Sequence, residues 1–193
     1  MTFATITFGC KVNQYETQAM RELLGQFFQE AAPREPADLV LVNTCSVTAE
    51  ADRQARQALR RARRAHPGAT VVAAGCYARR PGVDLVADGL ADRVVAGPTA
   101  EALLDAFGLS GGSAARFSIS RFQGHARAFV KVQDGCDRRC SFCVIPSIRG
   151  SNTSRALPEI REEVRGLLDG GIPEIVLCGV RLNAYRDPST SSG

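Results

Sequence analysis

The chain has 193 residues, of which 45% are hydrophobic, and this is enough for one domain of ordinary size and part of a second. It contains no run of about eighteen apolar residues, and its N-terminus lacks the basic and apolar regions of a secretory signal, so we exclude a membrane span and expect a cytoplasmic protein. Seven cysteines in such a protein indicate metal or redox chemistry rather than a disulfide framework. The net charge of +4 permits a nucleic-acid partner without establishing one.

The first hundred residues predict repeated strand–helix units. The predicted strands cover residues 2–8, 39–42, 70–74 and 92–96, and the predicted helices cover residues 14–29, 48–66 and 99–107. Thr48 and Thr99 are of the residue type that caps helix N-termini. Strands that alternate with helices imply a parallel sheet with right-handed crossovers, so residues 1–108 are predicted to form an α/β domain.

Three cysteines follow three of the predicted strands: Cys10, Cys45 and Cys76, named the sheet-edge cysteines below. Because the carboxyl ends of parallel strands meet at one edge of a sheet, and ligands bind there in open α/β sheets, we expect these thiols to converge. Glycines beside Cys10 and Cys76 allow the backbone to approach a bulky group closely. A metal cluster is favoured, while three separate buried thiols or a three-cysteine zinc site with an outside ligand are the alternatives.

Residues 109–125 are rich in glycine and serine and are predicted to be an interdomain linker. A strand at 128–133 then leads into Cys136, Cys140 and Cys143, the loop cysteines, which have the spacing C-x3-C-x2-C. Three thiolates this close can hold three corners of a [4Fe–4S] cluster and leave one iron open, whereas an electron-transfer cluster is closed by a fourth cysteine. A structural zinc site requires four ligands, usually as paired C-x2-C knuckles.

The region after the loop cysteines predicts a helix at 157–169, which Pro158 starts, and a buried strand at 174–180. Strand, loop, helix and strand are the beginning of a βα barrel with the reactive loop at the carboxyl end of its first strand. We therefore assign residues 126–193 to an incomplete barrel domain. Cys178 lies inside the second strand and is predicted to be a buried thiol rather than a ligand.

With both cysteine triads in place, the chain resembles the radical S-adenosylmethionine methylthiotransferases over residues 1–185. The run IPSIRGSNTSR at 145–155 resembles the family segment that follows the loop cysteines. Within the family, FGCKVNQYET at 8–17 and VNTCSVTAEADRQARQ at 42–57 most resemble the branch that acts on threonylcarbamoyladenosine in tRNA. The branches that act on isopentenyladenosine tRNA or on a ribosomal protein remain alternatives.

The resemblance implies an N-terminal methylthiotransferase domain followed by the start of a radical S-adenosylmethionine barrel, a partial TIM-like barrel. It also implies that each cysteine triad ligates one [4Fe–4S] cluster and that S-adenosylmethionine binds at the loop cysteines. The implied cofactor-binding residues are Phe142, Arg149 and Arg155, and no catalytic side chain is implied beyond the cluster ligands. Core packing is the alternative for Phe142, and contact with RNA phosphate or surface ion pairing are the alternatives for the two arginines.

The same resemblance implies that a methylthio group is added to C2 of N6-threonylcarbamoyladenosine in the anticodon loop of tRNA. The resemblance also implies an electron donor such as flavodoxin or ferredoxin. It does not indicate the oligomeric state. The family also carries further barrel strands and a C-terminal RNA-binding domain, so we expect this chain to be C-terminally truncated and to have little activity alone.

The predicted helix at 48–66 carries six arginines, which indicates either a face for the tRNA backbone or an ordinary solvated surface. Two other classes of function stay open for the whole chain. One is a non-catalytic iron–sulfur module that binds or senses, and the other is a structural zinc protein.

Overall fold

The computed structural model describes residues 1–109, 117–122, 124 and 126–190. Two compact units divide the chain, residues 1–117 and 118–193, and their boundary falls within the predicted linker. Much of that linker, at residues 110–116, 123 and 125, lies outside the described residues. No helix within the described ranges is long and apolar enough to cross a membrane.

The first unit is built on five parallel strands with four helices, which confirms the predicted α/β class. The strands are β1 (Thr2–Thr7), β2 (Gln29–Glu30), β3 (Leu39–Thr44), β4 (Thr70–Ala74) and β5 (Arg93–Val94). The helices are α1 (Lys11–Leu24), α2 (Ala49–Ala65), α3 (Gly75–Ala78) and α4 (Ala100–Phe107). The sheet order is β2-β1-β3-β4-β5, so the three strands that precede the sheet-edge cysteines are neighbours at its centre.

Strand β3 is buried at every residue because helices cover both faces of the sheet. Val40 and Val42 belong to one apolar cluster together with Leu59 of α2. Leu39 and Leu41 belong to a second cluster, which contains side chains of α1 and α4. Successive side chains of the strand therefore serve opposite layers, and the central strand is held rigidly where it ends at Cys45.

Two helices of the first unit start at their predicted caps. Thr48 Oγ1 accepts a hydrogen bond from Ala51 N at 3.1 Å, and Thr99 Oγ1 accepts one from Ala102 N at 3.2 Å. The predicted helix at 14–29 is wrong at both ends, since α1 begins at Lys11 and ends at Leu24. The chain turns after Leu24, and Gln29–Glu30 pairs with β1 as a short edge strand that the sequence did not indicate.

The second unit has a three-stranded sheet in the order β7-β6-β8, made of β6 (Arg127–Asp134), β7 (Thr153–Ser154) and β8 (Glu174–Gly179). Its helices are α5 (Ile145–Arg149) and α6 (Leu157–Asp169), and a short 3-10 turn (Leu182–Ala184) follows β8. Strands β6 and β8 are parallel, and α6 connects them as the predicted barrel start requires. The short strand β7 runs antiparallel to β6.

The predicted strand at 174–180 is confirmed as β8, Glu174–Gly179, but the prediction that this strand is buried is wrong. Strand β8 lies at the edge of the described sheet, and Leu177 on it is 50% exposed. Cys178 is buried, as predicted, and that it is not a ligand stays a prediction. The described end of the linker packs into this unit, because the rings of Phe122 and Phe129 meet edge-on at 5.3 Å.

Candidate metal centres

The sheet-edge cysteines lie at the carboxyl ends of three adjacent strands. Cys10 caps α1 just after β1, Cys45 directly follows β3, and Cys76 is the second residue of α3, which starts where β4 ends. Cys45 and Cys76 are buried, whereas Cys10 is exposed. The strand order thus brings the three backbone positions to the same edge, as the sequence predicted.

Two glycines allow the loops at this edge to approach each other. Gly9 has φ +115°, and a Cβ atom there would lie 3.0 Å from Cys45 Cβ and 3.3 Å from Cys45 Sγ. Gly75 has φ +86°, and a Cβ atom there would overlap the backbone of Thr44. Positive φ and close neighbours favour glycine at both positions, so the backbone at Gly9 lies against the Cys45 side chain and the backbone at Gly75 lies against that of Thr44.

Asn13 and Asn43 hold the start of α1 against the end of β3. Asn13 Nδ2 donates to Thr44 O at 2.8 Å, and Asn43 Nδ2 donates to Asn13 O and to Thr17 Oγ1, both at 2.9 Å. The Cys10 thiol lies 3.5 Å from Asn13 Oδ1. Both amides are fully buried, so they order the loops around Cys10 and Cys45.

Arg79 places a donor without an acceptor next to Cys76. Its backbone N–H donates to Cys76 O at 3.3 Å, and its Nε donates to Gly75 O at 3.3 Å. Its Nη2 is buried and has no hydrogen-bond partner among the described residues. A buried cationic N–H group without an acceptor is costly, and it favours an electron-rich group at this edge.

The loop cysteines occupy the segment between β6 and α5. Cys136 is half-buried, and its N–H donates to Gly150 O at 3.0 Å, whereas Cys140 and Cys143 are exposed. Phe142, between the last two cysteines, is 89% exposed, so the alternative that it packs in the core is wrong. The loop therefore presents two thiols and an aromatic ring to the solvent.

Gln133 supports the start of this loop from inside the sheet. Its Nε2 donates to Gly135 O and to Asn152 Oδ1, both at 2.7 Å, and its Oε1 accepts from Arg181 N at 2.6 Å. The side chain is buried, and Gly179 leaves room for it because a Cβ atom there would lie 2.9 Å from Gln133 Oε1. One amide thus joins the cysteine loop, the segment before β7 and the end of β8.

Asp134 forms ion pairs with Lys131 and Arg149, both at 2.9 Å, and its Oδ1 accepts from Gly135 N at 2.8 Å. Burial of the carboxyl group acts to raise its pKa, but the two neighbouring positive charges and their hydrogen bonds outweigh that effect and lower the pKa to about 2. The carboxylate is therefore ionised at neutral pH, directly before the loop cysteines.

Arg149 and Arg155 both have partners within the protein. The Arg149 side chain is 2% exposed and pairs with Asp134. Arg155 Nη1 donates to Glu163 Oε2 at 2.6 Å and to Lys131 O at 2.9 Å. These are largely buried ion pairs rather than the surface pairs that the sequence left open, and a contact of either arginine with a cofactor stays a prediction.

The described residues contain no group of three or more His, Cys, Asp or Glu side chains placed to hold a single metal ion. The donor set at each site is made of thiols, which suit iron–sulfur clusters and zinc. The buried Nη2 of Arg79, which has no acceptor among the described residues, fits an electron-rich group at this edge. The residues present are thus compatible with thiolate-bound clusters.

Sequence reasoning missed three of the polar residues that support these sites, Gln133, Asp134 and Asp52. Gln133 and Asp134 are polar residues at the end of β6, shortly before the loop cysteines, and this position was a signal that could have marked them. Asp52, which lies at the sheet edge together with Ser46 and Arg80, gave no such signal because it reads as an ordinary acidic residue in the first turn of α2.

Comparison with known proteins gives a consistent set of relatives. The sequence model of a family described as "Uncharacterized protein family UPF0004" matches residues 2–97. A Chlamydia pneumoniae protein named threonylcarbamoyladenosine tRNA methylthiotransferase MtaB is 37% identical over 98% of the chain, and a Bacillus subtilis protein of the same name is 36% identical over 96%. A Novosphingobium aromaticivorans protein named tRNA-2-methylthio-N(6)-dimethylallyladenosine synthase is 33% identical over 95%.

The chain spans about half the length of these curated relatives, at 46%, 45% and 45% respectively. Among solved structures, the radical S-adenosylmethionine methyltransferase TsrM from Kitasatospora setae matches with a TM-score of 0.58 and 15% identity. That match covers 95% of this chain and 48% of TsrM. At this identity the likeness concerns the fold.

Proposed function

The chain belongs to the radical S-adenosylmethionine methylthiotransferase family, and we propose that it takes part in the methylthiolation of tRNA. The proposed target is C2 of N6-threonylcarbamoyladenosine in the anticodon loop. The relatives from C. pneumoniae and B. subtilis, which carry the name of that activity, support this choice of substrate.

The observation that carries the proposal is the presence of two cysteine triads, each at the carboxyl end of parallel strands. The sheet-edge cysteines follow β1, β3 and β4 in the first unit, and the loop cysteines follow β6 in the second. A single triad would fit many redox proteins. Two triads in one chain suit a reaction that needs both an electron and a sulfur atom.

We propose that each triad ligates one [4Fe–4S] cluster and that S-adenosylmethionine binds at the loop cysteines. When bound, these cofactors supply the one-electron cleavage of S-adenosylmethionine and the sulfur that is transferred, and the protein binds, orients and shields them. The part of the chain itself is to present three thiolates at each site and to hold their backbone in place.

At the second site, Phe142 is the side chain proposed to cover the cofactors, because it stands exposed between two ligands. Arg149 and Arg155 are the other proposed cofactor contacts; Arg149 is held at the base of the loop by its ion pair with Asp134, and Arg155 pairs with Glu163 of α6. The turnover of such a site requires a one-electron donor, for which we propose a flavodoxin or a ferredoxin. The proposed compartment is the cytoplasm.

Helix α2 offers a surface for the RNA backbone. Three of its arginines have internal partners: Arg53 pairs with Glu50, Arg56 contacts Tyr77 and Arg63 pairs with Asp92. The other three, Arg60, Arg61 and Arg64, are exposed or lie at the surface, and the described residues provide no partner for them. Unpaired arginines on one helix suit the phosphates of a nucleic acid.

Metal analysis after anaerobic reconstitution with iron and sulfide tests the proposal. We expect about eight irons and eight sulfides per chain, and about four of each when either triad is replaced by alanine. About four irons per chain, with no loss of iron when the sheet-edge cysteines are replaced by alanine, would refute the two-cluster proposal. A colourless protein with stoichiometric zinc and no sulfide would instead support the structural zinc alternative.

Nucleoside analysis then tests the substrate. The chain is expressed in bacterial cells that lack both methylthio modifications, and their tRNA is digested and examined by mass spectrometry. Methylthio-threonylcarbamoyladenosine is the expected product, at a low level because little activity is expected of this chain alone. Methylthio-isopentenyladenosine would favour the activity named for the N. aromaticivorans relative, and clusters without cleavage of S-adenosylmethionine would favour a non-catalytic module.

A further inference from the structure

We infer that Asp52 is a positioning residue for two of the sheet-edge cysteines. Together with Ser46 and Arg80 it ties the segment after Cys45 to the segment after Cys76. The identity of the group that the thiols bind rests on the proposed function, whereas the link between the two segments does not.

The link consists of one carboxylate with a partner from each segment. Ser46 Oγ donates to Asp52 Oδ1 at 2.6 Å, and Arg80 Nη1 forms an ion pair with Asp52 Oδ2. Arg80 Nη1 also lies 3.4 Å from Ser46 Oγ, so the three side chains form a closed set. Ser46 directly follows Cys45, and Arg80 comes four residues after Cys76.

Burial makes this link costly to break. The Asp52 side chain is 10% exposed, and Ser46 is almost fully buried. A carboxylate in such a place depends on its ion-pair and hydrogen-bond partners, because its charge has lost most of its hydration. Its position in the first turn of α2 adds the favourable end of the helix dipole.

The proposed role of Asp52 is to hold the distance between Cys45 and Cys76, not to ligate the group that they bind. Asp52 itself makes no contact with a thiol in the described hydrogen bonds, so it acts through the two segments it joins. A backbone bridge between Thr44 and Gly75 joins the two segments directly before Cys45 and Cys76, and the Asp52 link joins them again after the cysteines. Asp52 therefore helps to fix the spacing of two thiols before any group binds to them.

A second ion pair of the same helix supplies a matched control. Arg63 of α2 pairs with Asp92 at 2.8 Å, and Asp92 Oδ2 also accepts from Val71 N at 2.7 Å. This pair joins α2 to the sheet just as the Asp52 link does, but it touches neither cysteine segment. Asp92→Asn therefore removes a more exposed ion pair of the same helix, with side chains 35% and 40% exposed, at a distance from the cysteine segments.

The first test uses the cluster-free chain and the rate of thiol alkylation at each cysteine, read by mass spectrometry. Asp52→Asn is expected to raise the rates at Cys45 and Cys76 roughly tenfold, because local opening exposes them. Cys10 is already exposed and should change less than about twofold. Unchanged rates at Cys45 and Cys76, or equal rises in Asp92→Asn, would overturn the inference.

The second test uses a chain whose loop cysteines are alanine, so that only the sheet-edge site can bind iron. Asp52→Asn should speed the loss of iron to a chelator several-fold and alter the EPR signal, and Asp52→Glu, which keeps the charge, should restore both in part. If the chain with alanine at the loop cysteines and an unchanged Asp52 binds no cluster, the proposed function is wrong. The alkylation rates then still decide whether Asp52 positions the two cysteines. If the parent binds a cluster and Asp52→Asn leaves it unchanged, the inference is wrong.

Discussion

Asp134 and Arg149 form an ion pair at 2.9 Å that joins the last residue of β6 to the last residue of α5. All three loop cysteines lie between these two residues in the sequence. The pair therefore closes the base of the segment that is proposed to hold a cluster. Because the Arg149 side chain is buried, the base of this loop is a structural element rather than a mobile surface turn.

Asp134→Asn should destabilise the second unit strongly. The substitution leaves the largely buried charges of Lys131 and Arg149 without their carboxylate, and the free energy of unfolding should fall by about 3 kcal/mol. Urea unfolding of the cluster-free chain, with hydrogen exchange at β6 as the local probe, measures the loss.

Glu174→Gln is the matched control for that substitution. Glu174 pairs with Arg127 at 3.4 Å in the same unit, but both side chains are more than half exposed. Exposed pairs contribute little, so this change should stay within about 0.5 kcal/mol. Equal losses in the two variants would contradict the importance assigned to the Asp134 pair.

Gly135→Ala should disturb the loop cysteines through the backbone. Gly135 has φ +68°, and a Cβ atom there would overlap the carbonyl group of Ser151 and lie 2.8 Å from Gly150 O. Clash and positive φ together should cost about 3 kcal/mol or more and reduce iron uptake at the loop cysteines. Iron analysis of a chain whose sheet-edge cysteines are alanine measures the second effect.

Gly171→Ala is the control that measures the cost of a positive φ without a steric clash. Gly171 has φ +84° in the same unit, but nothing lies within 4 Å of its Cβ position. The expected cost is about 1 kcal/mol, with normal iron uptake. If the two alanine variants bind iron equally well, the close contact of Gly135 with Ser151 does not shape the site.

Much of the fold was predictable because local signals agree with the tertiary structure. Strand β4 has the predicted bounds 70–74, and α6 has the predicted bounds 157–169, since an apolar run and a start at proline mark them clearly. The end of α1 was not predictable in this way. Phe27 and Phe28 continue the helical spacing, but Phe27 is largely exposed and the chain has already turned at Gly25.

The two cysteine triads were predictable because they come after predicted strands, whereas the distant partners of the supporting residues were not. Arg80 meets Asp52 across 28 positions, and Arg181 meets Gln133 across 48 positions. Such partners come together only through the strand order. A local pattern of polarity carries no information about that order. The positions of the thiols could therefore be predicted, whereas these distant partners could not.

Arg79→Gln should lower the reduction potential of a cluster on the sheet-edge cysteines. A positive charge and an N–H donor near a cluster stabilise its reduced form, and Arg79 has a buried Nη2 with no acceptor among the described residues. We expect a fall on the order of tens of millivolts in EPR-monitored titrations of a chain whose loop cysteines are alanine. Arg79→Lys keeps the charge and should shift the potential less. An equal fall in both variants would assign the effect to packing.

Reversal of charge on α2 should weaken the binding of tRNA. Arg60 and Arg64 lie one turn apart, and the helix has no acidic residue after Asp52 to offset them. If both contact phosphates, Arg60→Glu with Arg64→Glu should lower affinity at least tenfold and reduce the slope of log K against log salt by about 2. Fluorescence anisotropy with a labelled tRNA over a range of salt concentrations measures both quantities.

The control reverses a pair with the same spacing on the other unit. Arg161 and Arg165 of α6 are exposed, but they alternate with acidic residues such as Glu159 and Glu162, which offset their charge. Arg161→Glu with Arg165→Glu adds the same negative charge to the chain and should change the salt slope by less than about 0.5. If both double variants lose the same affinity and slope, the net charge of the chain governs binding, and α2 is not the surface that meets the RNA backbone.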